Sequence, residues 1–382
     1  MNHRIGMIGC GNIAQVYLED FRTSYRRQVE VVACADLVPE RARETAEKFG
    51  VPLACTPEEL LALPEVDIVV NLTVPAAHDE LNRKALEAGK HVYCEKPLAL
   101  SLEGAKETLA LAQKKGLRVA CAPDTFLGPA LQTCRKLIDE GWIGKPFAAT
   151  ANIVGWGPET WHPNPAFFYQ PGGGPLLDMG PYAVAALVHL FGPMRRIQCL
   201  STRALDQRRI YSEPHCGESI EVQVDTHYCA NAEMANGVLV NLVMSFDLWQ
   251  SGLPAFEVYG TEGTLRIPHP ADFTGVISLY RANGVIDELE GRGAVADKDR
   301  WYQIPAVLSG SVGNRRGIGV VDLIAAIENG RPHRTNESFV LHCTEVLLSF
   351  DQAVRQGGSY TFSTTCERPA PMPHGLTIAQ VD

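Results

Sequence analysis

The sequence predicts an α/β domain with a doubly wound parallel sheet, followed by an α+β domain with a large, mainly antiparallel open sheet. Three observations carry this expectation. Strand-like and helix-like segments alternate through the first 123 residues, and a glycine-rich turn joins the first such pair. Beyond Pro123 the pattern changes to successive strands with hairpin signals. At 382 residues the chain exceeds one ordinary core, and the change of rhythm divides it into 1–123 and 124–382.

The elements follow in order. Arg4 to Gly9 is an apolar strand, and Asn12 to Arg22 has helical spacing. "VEVVACAD" (29–36) is a second strand, followed by the charged helix "PERARETAEKFG". A short strand near Leu53 precedes "TPEELLAL", where Thr56 caps a helix and Glu58 and Glu59 suit its dipole. "VDIVVNLT" (66–73) is a continuous apolar run of the kind buried on both faces of a parallel sheet. A helix to Gly89, the strand "HVYC" (91–94), a helix from Ser101 to Lys115 and "RVACAP" (118–123) complete the domain.

A helix from about Gly128 to Glu140 opens the second domain. "KPFAATANIVG", "EVQVDTHYCANAEM", "GVLVNLVMSFDLW", "PAFEVYG" and "GTLRI" then alternate with period two, with Asn236-Gly237 and Glu262-Gly263 as hairpin turns. Helices return at "VVDLIAAIENG" and "SFVLHCTEVLLSFDQAVRQ", and the tail "ERPAPMPHG" is expected to be loose. Such an open sheet is expected to bury its outer face against another copy, giving a homodimer or homotetramer.

A net charge of −10 leaves no basic footprint for nucleic acid or an anionic membrane. No run approaches the roughly 18 apolar residues that span a bilayer. "MNHRIGMIGCGN" enters a strand directly, without the charged and apolar regions of an export signal, so a cytoplasmic location is expected. The eleven cysteines include no CxxC pair and are expected to be reduced thiols. The pairs His215-Cys216 and His342-Cys343 and the triplet "HYC" fit no zinc spacing, so no metal is expected.

"GMIGCGNIA" places Gly9-x-Gly11-x-x-Ala14 between a strand and a helix. Such glycines permit a tight turn and let backbone at Gly11, Asn12 and Ile13 approach a pyrophosphate at the helix N-terminus. Asp36, at the end of the next strand, suits two ribose hydroxyls and would repel a 2′-phosphate, which favours NAD over NADP in a Rossmann-type site. Thr73, Pro75 and His78 end the fourth strand on the same sheet edge and are further cofactor candidates, with a solvated histidine as the alternative for His78. Glu95-Lys96-Pro97 ends the fifth strand where such sheets bind ligands. There the Lys96 ammonium can meet a substrate oxygen, and Glu95 joins the cofactor set.

"GCGNIA", Asp36, "AGKHVYCEKPLA", "GGGPLLDMGPY" and "EVYGTEGTL" together resemble the Gfo/Idh/MocA oxidoreductases, relatives of glucose–fructose oxidoreductase and inositol dehydrogenase, over nearly the whole chain. The resemblance implies hydride exchange at a carbinol carbon of a sugar, glycoside, polyol or cyclic diol. "GGGPLLDMGPY" sets Asp178 and Tyr182 four residues apart, on one face if the stretch is helical. Helix capping by Asp178 and burial of Tyr182 are the alternative. Where the family usually has Asp-x-Gly-x-His and a second Asp, this chain has Tyr182 and Ala185, which is similar to its tyrosine-bearing branch. Tyr182 is then expected to act as acid/base, Lys96 to polarise the reacting oxygen and Asp178 to orient hydroxyls.

Trp161 and His162, in a long aromatic and proline-rich loop, are expected either to stack on a sugar or nicotinamide or to pack within the loop. Asp124 ends the sixth strand, and Arg316 lies in "GNRRGIG" (313–319); each is a candidate substrate contact, with a helix cap and a solvated arginine as the alternatives. Two other functions use the same residues: an NAD-retaining glycoside hydrolase working by transient oxidation, elimination and re-reduction, and a catalytically silent NAD-sensing protein.

Overall fold

The computed structural model describes residues 3–291, 300–306, 316–373, 375–376 and 380–382. The chain divides into two compact units, Met1–Leu127 with Ser309–Leu348 and Met372–Asp382, and Gly128–Leu308 with Ser349–Pro371.

The first unit begins with β1 (His3–Ile8), α1 (Asn12–Thr23), β2 (Val29–Ala35), α2 (Pro39–Phe49), β3 (Leu53–Cys55) and α3 (Pro57–Ala62). β4 (Ile68–Asn71), α4 (His78–Glu87), β5 (His91–Cys94), α5 (Leu102–Lys115) and β6 (Val119–Cys121) follow. All six strands run parallel in the order β3-β2-β1-β4-β5-β6, so the order reverses between β1 and β4. Ligand crevices of doubly wound sheets open at that point, beyond the carboxyl ends of the strands. The central strands are covered on both faces: Ile5, Met7, Ile68, Val69, Val70, Val92 and Tyr93 are fully buried. Local chemistry sets the helix ends. Thr56 and Glu59 form a reciprocal capping box on α3, and the Ser101 hydroxyl takes the Gly104 amide on α5.

The second unit contains α6 (Pro129–Asp139), β7 (Pro146–Val154), α7 (Gly174–Asp178), α8 (Gly180–Phe191), β8 (Met194–Thr202), β9 (Gln207–Arg209) and β10 (Ser219–Glu221). β11 (His227–Met234), β12 (Leu239–Ser245), β13 (Phe256–Gly260), β14 (Gly263–Ile267), β15 (Ile277–Arg281), α9 (Asn283–Leu289) and β16 (Tyr302–Ile304) follow. After α10 (Ile318–Glu328) and α11 (Glu337–Gln356), β17 (Ser359–Thr361) completes a nine-stranded sheet. Its order is β16-β15-β14-β13-β7-β12-β11-β8-β17, antiparallel except for the β12–β7 pair. Both expected hairpins form, β11–β12 and β13–β14. One face carries the core through Tyr228, Ala230, Ala232, Val240, Leu242 and Met244, while Phe147, Leu200 and Leu239 are exposed.

Three features differ from the sequence reading. The division at residues 123 and 124 omits the return of the chain: α10 packs on β5 and β6, so it belongs to the first core. An apolar helix pattern does not say which of two cores will bury it. The tail is held rather than loose over residues 367–373. Arg368 donates to the His189 carbonyl at 2.9 Å, the Pro369 carbonyl accepts from Arg135, and Met372 is buried. The Asp178 segment is two helices, because Pro181 has no N–H for the ladder and the chain breaks at Met179.

Candidate functional site

The β1–α1 turn is built for close approach. Gly9 has φ +100°, and a Cβ there would lie 2.6 Å from the Leu72 carbonyl oxygen, so only glycine fits. At Gly11 a Cβ would meet nothing within 4 Å. Gly11 is the N-cap of α1 and offers no side-chain cap, and both it and Asn12 are exposed. Packing within the protein does not demand glycine at this spot, and the helix N-terminus there is left open to an anion. Asp36 accepts the Cys10 amide at 2.8 Å and the Val38 amide at 2.9 Å, which ties the end of β2 to the same turn. Leu37 beside it is 86% exposed, with no cation adjacent in sequence to receive a 2′-phosphate. The turn, the uncapped helix and the half-buried Asp36 fit a dinucleotide with free ribose hydroxyls.

At the ends of β4 and β5, polar side chains order the backbone. Asn71, fully buried, takes the Thr73 amide at 3.2 Å and the Thr73 hydroxyl at 2.7 Å on its oxygen. Its amide nitrogen donates to Asn82 at 2.8 Å and to the His78 carbonyl. Thr73 and Pro75 stay partly exposed on this rim. The Glu95 carboxylate is buried, with one oxygen accepting from the Tyr17 hydroxyl at 2.9 Å and the other from the Lys96 amide at 3.0 Å. Lys96 itself is partly exposed, and its bond to Pro97 is cis.

Four of the candidate ligand contacts are buried within the protein. His78 is fully buried, with both ring nitrogens against backbone carbonyls, so its ring is engaged within the protein rather than solvated. Glu95 accepts from the Tyr17 hydroxyl and from the Lys96 amide, one on each oxygen. Asp124 is fully buried and accepts the Gly317 and Gly319 amides at 3.1 and 2.9 Å, as a cap on the start of α10. A Cβ at Gly319 would sit 2.8 Å from Tyr93 and 2.9 Å from Asp124, which explains the glycine. Arg316 is 8% exposed and near enough for its charge to favour the Asp124 carboxylate, so it too is packed inside. Residues 313–315 of "GNRRGIG" lie outside the described residues. Sequence reasoning missed Tyr17 and Asn71, whose polar partners are set by strand order rather than by any motif.

In the second unit Asp178 ends α7, half-buried, and Tyr182 lies in the first turn of α8 at 7% exposure. His162 is close enough to Asp178 to feel its charge, although burial is the larger influence and lowers its pKa. The Trp161 ring, 66% exposed, meets His162 edge-on at 5.4 Å, and His162 in turn meets Phe167 and Phe168. A network that the sequence did not reveal anchors this loop. Arg208, buried, binds Glu159 at 2.7 Å and also binds Asp247, and the Tyr169 hydroxyl donates to Glu159. The same guanidinium lies 4.5 Å over Trp156, which stacks on Trp249 at 3.5 Å.

Comparison with known proteins decides the family. The model of an oxidoreductase family with an NAD-binding Rossmann fold matches residues 3–122, and the Gfo/Idh/MocA C-terminal domain model matches residues 131–266. D-glucoside 3-dehydrogenase of Escherichia coli is 30% identical over 259 residues, 64% of this chain and 70% of that protein. The chain belongs to the Gfo/Idh/MocA family.

Another Gfo/Idh/MocA relative, dTDP-3,4-didehydro-2,6-dideoxy-alpha-D-glucose 3-reductase of Saccharopolyspora spinosa, is 28% identical over 334 residues, 86% of this chain and 92% of that protein. Levoglucosan dehydrogenase, solved in complex with NADH and L-sorbose, shares the fold with a TM-score of 0.79 at 20% identity, covering 95% of this chain and 99% of that one. The amino-terminal third, residues 3–122, is therefore an NAD-binding Rossmann fold and the chain an oxidoreductase. Among the described residues no helix is long and apolar enough to cross a membrane, and no cluster of His, Cys, Asp and Glu is suited to a metal ion.

Proposed function

We propose that this protein moves a hydride between NAD and a carbinol carbon of a sugar, glycoside, polyol or cyclic diol. The observation that carries the reading is the rim of the parallel sheet, where the open α1 N-terminus at Gly11, the Asp36 carboxylate and the Lys96 side chain share one strand edge. The names of two relatives both place their reaction at position 3 of a glucose-type sugar, and a third, from Mus musculus, is a trans-1,2-dihydrobenzene-1,2-diol dehydrogenase. These names support a cyclic substrate bearing neighbouring oxygens.

Gly9, Gly11, Asn12 and Ile13 are the proposed pyrophosphate seat, Asp36 the ribose acceptor, and Thr73 and Pro75 the rim of the nicotinamide side. Bound NAD supplies the hydride acceptor. Tyr182 takes the proton of the reacting hydroxyl during oxidation and returns it during reduction. For Lys96, on the rim of the first unit, the proposed role is to donate to a substrate oxygen and offset negative charge there. Asp178 accepts from neighbouring hydroxyls and fixes which carbon presents its hydrogen. Trp161 and His162 offer ring surface to the apolar face of a cyclic substrate.

The test is a panel of sugars, glycosides, polyols and cyclic diols, with NADH absorbance and product identity followed together. Stoichiometric NADH and keto product support the reading. Cleavage of a glycoside with no net change in NAD would replace it with redox-neutral hydrolysis, and silence across the panel would favour a sensing protein.

A further inference from the structure

His78 opens α4, and its ring reaches two backbone carbonyls beyond the ends of two neighbouring strands. Nδ1 lies 2.6 Å from the Pro97 oxygen, past β5, and Nε2 lies 2.9 Å from the Thr73 oxygen, past β4. The strand ladder ends at the pairing of Asn71 with Cys94 and the bond from the Glu95 amide to the Asn71 carbonyl. The imidazole continues that connection where the backbone no longer can.

A carbonyl oxygen only accepts, and a neutral imidazole has one N–H. A neutral ring would set a lone pair against an oxygen at one of these two distances. Both contacts are hydrogen bonds only if both nitrogens carry protons. We propose that His78 is a doubly protonated staple across the ends of β4 and β5, and that it positions Lys96 through Pro97 without touching the cofactor. Lys96 is then held on both sides, by Glu95 through its amide and by His78 through the next carbonyl.

A buried cation needs a counter-charge. Burial alone would lower the His78 pKa, but the Cys94 sulfur and the two carbonyls outweigh it and lift the value to about 9. Burial likewise opposes ionisation of Cys94, yet bonds with Cys121, His78 and Asn82 bring its thiol down to about 6. On α4 itself, Asp79 and Glu80 are paired with Arg83 and Lys84, while Asn71, from the end of β4, meets His78 at its carbonyl rather than its ring. A proton moved from Cys94 to His78 on folding would leave no net uptake. Global stability against pH is nearly blind to such an internal transfer, so the ring must be observed directly.

The experiment uses full-length protein labelled with ¹⁵N-histidine, its ring nitrogens recorded at pH 8 without nucleotide. The expected result is a ring among the eleven histidines with both nitrogens protonated, absent from the His78→Gln variant. A wild-type spectrum with no doubly protonated ring at pH 8 would overturn the proposal, whether or not the variant folds. Cys94→Ser should move that ring's titration downward, and an unmoved titration contradicts the proton transfer.

The positioning role rests on the NAD reading and is tested by fluorescence titration of NADH. His78→Phe should weaken binding by about tenfold or more, as expected for lost charge-assisted bonds, with His78→Gln between it and wild type. Wild-type affinity in a folded His78→Phe protein overturns the positioning role. Failure of the wild-type protein to bind NADH would sink the functional reading and leave the ring's protonation standing.

Discussion

The Tyr17 hydroxyl on α1 donates to Glu95 Oε1 at 2.9 Å, and Glu95 Oε2 accepts the amide of the neighbouring Lys96 at 3.0 Å. A helix of the nucleotide-binding turn and the strand end that carries Lys96 are thereby joined through one buried carboxylate. Tyr17→Phe strands one of its oxygens, at a cost of about 1–3 kcal/mol. Urea unfolding should show that loss, and a change under about 0.5 kcal/mol would mean the contact carries no stability.

Asp36 holds the amides of Cys10 and Val38 as well as the proposed ribose site. Asp36→Ser removes the charge that would repel a 2′-phosphate. The ratio of NADPH to NADH affinity should rise by about tenfold or more, or about 1.4 kcal/mol. Direct titration of both nucleotides checks this. An unchanged ratio would remove Asp36 from the ribose site.

The Rossmann domain was legible because its signals are local. Gly9 and Gly11 sit where strand gives way to helix, Asp36 follows one strand later, and the apolar runs of β4 and β5 announce a sheet covered on both faces. Asn71, Tyr17 and His78 were not legible as organisers, since their partners arrive from other strands and helices. Asp124 reads as a rim carboxylate until α10 returns across nearly 200 residues to place Gly317 and Gly319 on it. Pro181 was visible in the sequence, but its effect, the break between Asp178 and Tyr182, depends on a helix starting at Gly174.

Arg208 binds Glu159 and Asp247 where all three side chains are at least nine-tenths buried. Removing the cation leaves two carboxylates out of water with no counter-charge. Arg208→Met should cost about 3–5 kcal/mol, the range for breaking a buried pair from one side. The loss should appear in thermal or denaturant unfolding. A loss below about 1 kcal/mol would show that water or protonation compensates.

Burial pushes the Asp124 carboxyl above the usual carboxylate range, against the Arg316 charge and the Gly319 amide. Its folded form therefore keeps a proton that the unfolded chain has released. The stability it contributes is present below the ordinary value of about 3.9 and is lost as pH rises through the raised one. Asp124→Asn should flatten that part of the stability curve above pH 4. Urea unfolding from pH 4 to 7 measures it, and parallel curves for the two proteins would contradict the assignment.

The most direct measurement follows the transferred hydrogen. A substrate from the panel, deuterated at the carbinol carbon, is incubated with NAD and wild-type protein, and with Tyr182→Phe. The account predicts deuterium in the reduced nicotinamide in step with keto product, and turnover lower by about 10²–10⁴-fold in the variant, with NAD still bound. Deuterium released to water without reduced cofactor, or a Tyr182→Phe enzyme that turns over at the wild-type rate, would contradict it.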